Sequence, residues 1–397
     1  MQQTARRIIN NNFKKSLKTG MQKQTEVVSL VRKTTENAKQ RFFKAGSLVQ
    51  AEKTKFDVVH QKDIVTLRYY PPLEEDSIVV ADGKGGFNTL VVEKETHAVP
   101  LVLVAPLAVN MYIYDLFADR SLVKYLRARG FELYLVDWGR PGWRQNHFSF
   151  ETYITELLPE MISKVREHCG KTKLSLHGWS LGGLFSACYA SMDKDIENVA
   201  LIGAPCDYHA NGELGVHYQR ISKNLRWLEK RTGWRVHNTP QRWWRSPGWA
   251  NSVAFKLTNP VGSIQGYLDL LRNLHDEEYV ISHATNGAFL DDMVAYPGAI
   301  MQDVVQFLLT DNVLAKGELP FRNSRGQFSD VTANLFMVCG KQDPVVTPDC
   351  GAKLLELVSS KETRLELVPG GHMGILSGSK SPAEIWPMVA DWLVERS

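Results

Sequence analysis

From Leu101 onward the chain alternates short, predominantly apolar runs with longer segments whose apolar residues recur every three or four positions. The runs are Leu101–Ala105, Phe131–Asp137, Lys173–His177, Val199–Gly203, Leu335–Cys339 and Arg364–Val368. A strand that is apolar at successive positions has no solvent face, so these runs predict a mostly parallel sheet covered by helices on both sides. Helical periodicity falls between them, over Ser121–Arg127 before a closing Gly130, from about Phe150 to His168, directly after residue 180, over Ala352–Val358 and over Ala383–Glu395. Upstream, Phe56–His60 and Ile64–Tyr70 read as an antiparallel hairpin that precedes the first parallel strand. The class is α/β.

The alternation lapses between residues 207 and 332. This stretch is rich in tryptophan (Trp227, Trp234, Trp243, Trp244, Trp249) and in basic residues, with helical patterns at Val253–Leu257 and Met293–Leu309. An insertion just before the last two strands lies over the carboxyl ends of a parallel sheet, where ligands bind, so 207–332 is expected to form a cap (lid). Its tryptophans are expected to pack a small subdomain, some also lining an acyl channel. The core is then 51–206 with 333–397.

Charge separates a third segment. Residues 1–50 hold eleven Lys/Arg against Glu26 and Glu36, whereas the whole chain is only +4, so the remainder is net acidic. That excludes a generally nucleic-acid-binding enzyme body. Ile9, Phe13 and Leu17 recur at helical spacing and predict a basic helical extension. It reads either as a solvated or partner-packed helix or as an arm seeking a membrane or lipid-granule surface. Five cysteines, 169, 188, 206, 339 and 350, are an odd number without C-x-x-C spacing and read as reduced thiols of a cytoplasmic protein, with Cys169, Cys188, Cys206 and Cys339 as small core residues. No run approaches the about 18 apolar residues of a membrane span, and the N-terminus lacks a secretory pattern.

The chemistry concentrates at Gly178-Trp-Ser180-Leu-Gly182, which follows an apolar run and opens onto a helical pattern. Strand, G-x-S-x-G and helix together make the nucleophile elbow of the α/β-hydrolase fold. Glycines flank the serine because the turn leaves no room for side chains. Asp343 follows the run ending at Cys339, and His372 follows the run ending at Val368, in Pro-Gly-Gly-His372-Met-Gly. The order Ser180, Asp343, His372 is that of α/β-hydrolases. Ser180 would be the nucleophile, His372 its general base, and Asp343 the group that fixes the imidazole. The oxyanion donors are expected to be the backbone N–H of Leu181 and that of Val109, with Ala108 close behind, in the loop after Leu101–Ala105. His177 reads as a packed residue rather than a second base, and Asp137 and Trp138 as structural. No metal or nucleotide cofactor is suggested.

Leu101-Val-Leu-Val-Ala-Pro-Leu-Ala-Val-Asn110, Tyr112-Ile-Tyr-Asp-Leu116, Arg120-Ser-Leu-Val123 and Leu133-Tyr-Leu-Val-Asp-Trp-Gly139 resemble polyhydroxyalkanoate synthases, most closely the short synthases that work with a second subunit. The resemblance spans roughly residues 57–396 and is weaker through the cap. It implies acyl-enzyme chemistry on 3-hydroxyacyl-CoA thioesters, His372 and Asp343 in their expected places, and a cap that gates access. It also implies a cysteine where Ser180 stands. A cysteine acyl-enzyme is a thioester and stays activated; a serine acyl-enzyme is an oxyester and is less so. The sequence therefore puts hydrolysis of acyl thioesters or esters first, acyl transfer or polymer synthesis second, and a non-catalytic granule or scaffold protein third. A homodimer or a partner subunit is compatible with each.

Overall fold

The structure, a computed structural model, describes Thr25, residues 28–257 and residues 260–397. The apolar spacing of Ile9, Phe13 and Leu17 lies outside the described residues. The chain divides into two compact units, Ala51–Thr258 with Phe289–Ser397, and a smaller one that joins the residues up to Gln50 to Asn259–Ala288.

The larger unit is built on an eight-stranded sheet. Its strands are β1 (Asp57–Lys62), β2 (Val65–Tyr70), β5 (Leu101–Val104), β8 (Leu133–Asp137), β9 (Leu174–Trp179), β10 (Ile196–Ile202), β11 (Asn334–Gly340) and β12 (Thr363–Val368). Two small ladders, β3 (Ser77–Ala81) with β4 (Phe87–Val91) and β6 (Asp115–Phe117) with β7 (Arg120–Ser121), stand apart from it. The spatial order is β1-β2-β8-β5-β9-β10-β11-β12, with the first two pairings antiparallel and the rest parallel. The chain thus passes from β5 outward to β8, then returns to place β9 on the other side of β5. That reversal is the switch point at which open α/β sheets leave a crevice beyond the strands' carboxyl ends. β5 and β9 are buried at every position; β5 is apolar throughout, while β9 also buries Ser175 and His177.

The helices follow the sequence pattern with instructive offsets. Leu122–Ala128 is capped by the Ser121 hydroxyl, which accepts from Lys124 N. The helix expected from about Phe150 to His168 opens with a π turn, Thr152–Leu157, before Leu158–Cys169 ends at Gly170. In place of the expected Ala352–Val358 helix, an α-helix runs over Pro348–Ala352, capped by Thr347 with Pro348 suited to its first turn, and passes into a 3-10 helix over Lys353–Glu356. The terminal helix is split into Ser381–Glu384 and Trp386–Val394, since Pro387 supplies no N–H to continue the ladder. The expected Met293–Leu309 helix begins only at Gly298, continuing as a π segment from Val304 to Thr310. Upstream, Tyr296 bridges to Ser246 and Pro297 is extended. The longest helix of this region, Gly212–Thr232, ends at Gly233 in the left-handed conformation.

In the smaller unit a helix over 28–43 is followed by the helices Pro260–Arg272 and Glu277–Asp291, the latter running past Ala288. Leu48, Leu270, Val280 and Ala284 form its core. Asn37 Nδ2 donates to Leu274 O at 2.9 Å, and Gln50 N to Thr285 Oγ1 at 3.1 Å. Basic composition alone would have left residues 28–50 solvated; these contacts make them part of a packed body. Its surface leaves Val31, Phe43, Ile264, Tyr267 and Leu271 exposed. Among the described residues no helix is long and apolar enough to cross a membrane.

Candidate active site

Ser180 occupies the turn between β9 and the helix Leu181–Met192, with φ 55° and ψ −126°, a left-handed-side backbone that an ordinary residue adopts only when its surroundings impose it. Three glycines impose it here. A Cβ on Gly178 would lie 2.4 Å from Gly182 O, one on Gly182 would lie 2.0 Å from Val104 O, and one on Gly183 would lie 2.6 Å from the Cβ of Ala204. The elbow helix therefore starts in backbone contact with the end of β5. Ser180 N donates to Ile202 O at 2.9 Å, which ties the turn to β10 as well.

Ser180, His372 and Asp343 come together from three strand ends. His372 Nε2 lies 2.9 Å from Ser180 Oγ, and His372 Nδ1 lies 2.7 Å from Asp343 Oδ2. Asp343 and His372 are both buried. The other Asp343 oxygen, Oδ1, accepts from Val345 N at 2.8 Å and Val346 N at 2.9 Å. A carboxylate so placed demands the proton on Nδ1, which leaves Nε2 as the acceptor for the serine hydroxyl. Trp179, next to the serine, donates from its indole to His372 O at 3.1 Å, and its ring centroid lies 5.2 Å from that of the imidazole. The arrangement can take a proton from Ser180 Oγ, hold it on His372, and return it to a leaving group.

Of the two expected oxyanion positions, Leu181 directly follows the serine and Val109 lies in the loop after β5. Leu181 opens the elbow helix, where a first-turn N–H has no intrahelical acceptor and the helix dipole favours negative charge. Val109 follows Ala108, whose φ of +64° turns the loop after β5. Ala108 O accepts from Val294 N at 2.9 Å. Asn110 Nδ2 donates to Phe289 O at 3.3 Å and Asp292 O at 3.0 Å, while its Oδ1 accepts from Tyr112 N at 3.2 Å. Segment 289–294 of the insertion thereby holds the loop that carries Val109. Beside the loop lies a cavity of about 290 Å³ whose walls include Val109, Tyr112, Arg68 and Arg140.

The remaining motif residues have structural work. Asp137 bonds Arg68 at 2.6 Å and accepts from Gly139 N at 2.9 Å, and Trp138 donates to Ala105 O at 2.6 Å. Gly139 has φ +68°, and a Cβ there would meet Ile64 O at 2.0 Å. Asp-Trp-Gly is thus a brace on the loop after β5. His177 is buried among Leu122, Ile202, Ile375 and Trp386, and no partner meets its Nδ1. Burial lowers its pKa to about 4, so it stays neutral and apart from the relay. Sequence reasoning missed Trp179 and Asn110. Only Asn110 carried a signal, as part of a Val-Asn run with no evident local reason. No group of three or more His, Cys, Asp or Glu residues suited to a metal occurs among the described residues.

The family profile for the alpha/beta hydrolase fold matches residues 110–379. Among curated proteins, the poly(3-hydroxyalkanoate) polymerase subunit PhaC of Haloferax mediterranei is 27% identical over 303 residues, covering 76% of this chain and 60% of that protein. The subunit of the same name from Allochromatium vinosum is 26% identical over 304 residues, 76% of this chain and 82% of that one. That from Synechocystis sp. is 24% identical over 356 residues, 88% and 86% respectively. The chain thus spans less than two thirds of the Haloferax protein and most of the other two. With the fold, its strand order and a family profile in agreement, this chain belongs to the α/β-hydrolase fold family, is similar within it to poly(3-hydroxyalkanoate) polymerase subunits, and is an enzyme of the acyl-transfer or hydrolase type.

Proposed function

We propose that the protein transfers 3-hydroxyacyl groups from a thioester to a hydroxyl acceptor through an acyl-Ser180 intermediate, building a polyester. The observation that carries this reading is the unbroken relay from Ser180 Oγ through His372 to Asp343, in a chain similar to polymerase subunits. Ser180 Oγ attacks the thioester carbonyl as its proton passes to His372 Nε2. The N–H of Leu181, with that of Val109, stabilises the oxyanion. The C–S bond breaks and the departing sulfur takes the proton. An acceptor hydroxyl then attacks the ester carbon, its proton passes to His372, and the bond to Ser180 breaks as Oγ recovers that proton. The parts of the insertion that belong to the larger unit, residues 207–258 and 289–332, serve as the cap over this site.

The serine itself favours a second reading, hydrolysis, in which water is the acceptor of the less activated oxyester. The test is incubation with 3-hydroxybutyryl-CoA while CoA release, free acid and insoluble polyester are followed together. Transfer predicts CoA with polyester. CoA with free acid alone replaces transfer by hydrolysis, and no CoA from any acyl donor removes both readings. Ser180→Cys is expected to raise the share of polyester over free acid, because the acyl group then remains a thioester.

The first 24 residues carry six Lys/Arg and no acidic residue, which suits contact with an anionic lipid or granule surface or with a partner subunit. Because Asn37 and Leu48 belong to the smaller unit's core contacts, the informative truncation removes residues 1–24 only. It is expected to weaken pelleting with anionic liposomes as much as added salt does, while ester turnover is kept. Equal pelleting with and without those residues leaves them a packing or oligomerisation element.

A further inference from the structure

We propose that Asn211 is a positioning residue for Asp343, tying the acid to the foot of the long insertion helix; the inference rests on the acyl-Ser180 reading. Asn211 is 2% exposed, and both ends of its amide are used on one short turn. Nδ2 donates to Val345 O at 2.8 Å, and Oδ1 accepts from Thr347 N at 2.9 Å. These partners fix which end of the amide is which, since one is an acceptor and the other a donor. Val345 and Val346 are the residues whose N–H groups hold Asp343 Oδ1. The same turn is therefore gripped on one side by the carboxylate it orients and on the other by Asn211.

The grip has a backbone companion. Cys206 N and Asp207 N both donate to Cys350 O, at 3.2 and 2.9 Å, so 206–211 and 345–350 are zipped together. Asn211 immediately precedes the helix Gly212–Thr232, and its own carbonyl accepts from Gly215 N at 2.9 Å. Gly212, at φ +54°, makes the bend between the two. A shift of that helix would reach Asp343 through this amide before it reached any other member of the relay. Misplacement of a reacting group by about 1 Å costs on the order of 100-fold in rate, so loss of the clamp is expected to show in kcat far more than in KM.

The test is a cycle on the full chain, with Asn211→Ala made alone and together with Asp343→Asn, reading kcat, KM and the rate of fluorophosphonate labelling at Ser180. Alone, Asn211→Ala is expected to lower kcat and labelling in parallel, by up to about 100-fold. On top of Asp343→Asn it should cost no more than about twofold, because a residue that acts through the acid has nothing left to position. Full loss in both backgrounds, or no loss in either, overturns the inference. Asn211→Asp, equal in size but facing Val345 O with a second acceptor, gives the same reading should the alanine variant not fold. Ser180→Ala separates the two levels: labelling that survives it overturns the Ser180 reading, whereas additivity in the cycle overturns only the role of Asn211.

Discussion

Ser180→Ala is expected to abolish fluorophosphonate labelling and to lower turnover on the order of 10⁶-fold, and His372→Ala to cost about as much. The equality follows from the geometry. Oγ is a poor nucleophile until Nε2, 2.9 Å away, accepts its proton, so either loss removes the same step. Asp343→Asn is expected to be milder, on the order of 10⁴-fold, because its amide still packs in the turn but favours the wrong imidazole tautomer. Steady-state rates on a soluble ester with intact-mass detection of the probe adduct decide this. Labelling of Ser180→Ala at the wild-type rate would move the nucleophile elsewhere.

A second large effect is expected in stability rather than rate. His177 carries a pKa lowered from 6.5 to about 4 by its apolar surroundings. Above pH 6.5 the ring is neutral both folded and unfolded, and the site is without cost. Between pH 6.5 and 4 the unfolded chain binds a proton that the folded chain refuses, so stability falls as the medium is acidified. The shift corresponds to roughly 3 kcal/mol lost by the lower end of that window. His177→Leu, which suits the surrounding Leu122, Ile202 and Ile375, should remove this part of the acid dependence. Urea midpoints of the two proteins, compared from pH 8 to pH 4, test it, and parallel profiles would show that His177 is protonated at little cost.

How far the residues announced this architecture depends on what each signal had to compete with. The central parallel strands were legible because burial leaves them as largely apolar runs, whereas the edge strand β12 is mostly exposed and showed itself only by the alternating Leu365 and Leu367. Ser180, Asp343 and His372 were legible as candidates because each stands just past such a run beside glycine. Offsets arose where a single residue overruled periodicity: Pro387 divides an otherwise continuous apolar helix pattern, and Pro297 delays the one expected from Met293. Asn211 was invisible because both its partners are backbone atoms more than a hundred residues away. The grouping of residues up to Gln50 with 259–288 was hidden for a similar reason, since among the described residues its core joins Leu48 to Leu270, Val280 and Ala284 of a distant pair of helices. Charge asymmetry marks a segment but says nothing of what its few apolar residues touch.

The placement of the native sulfur atoms has a practical consequence for following the acyl intermediate. All five cysteines are unpaired; Cys188, Cys206, Cys339 and Cys350 are buried, and Cys169 is half-buried. Burial pushes every one of these thiols up, Cys339 and Cys350 to about 12. At neutral pH none offers an appreciable thiolate to an alkylating reagent. The Ser180→Cys variant would place one thiol on a partly exposed turn, within reach of an imidazole that can deprotonate it. Against a silent sulfur background, maleimide or iodoacetamide would then count free sites directly, and protection from alkylation during turnover would measure how much of the protein is waiting with its acyl group aboard.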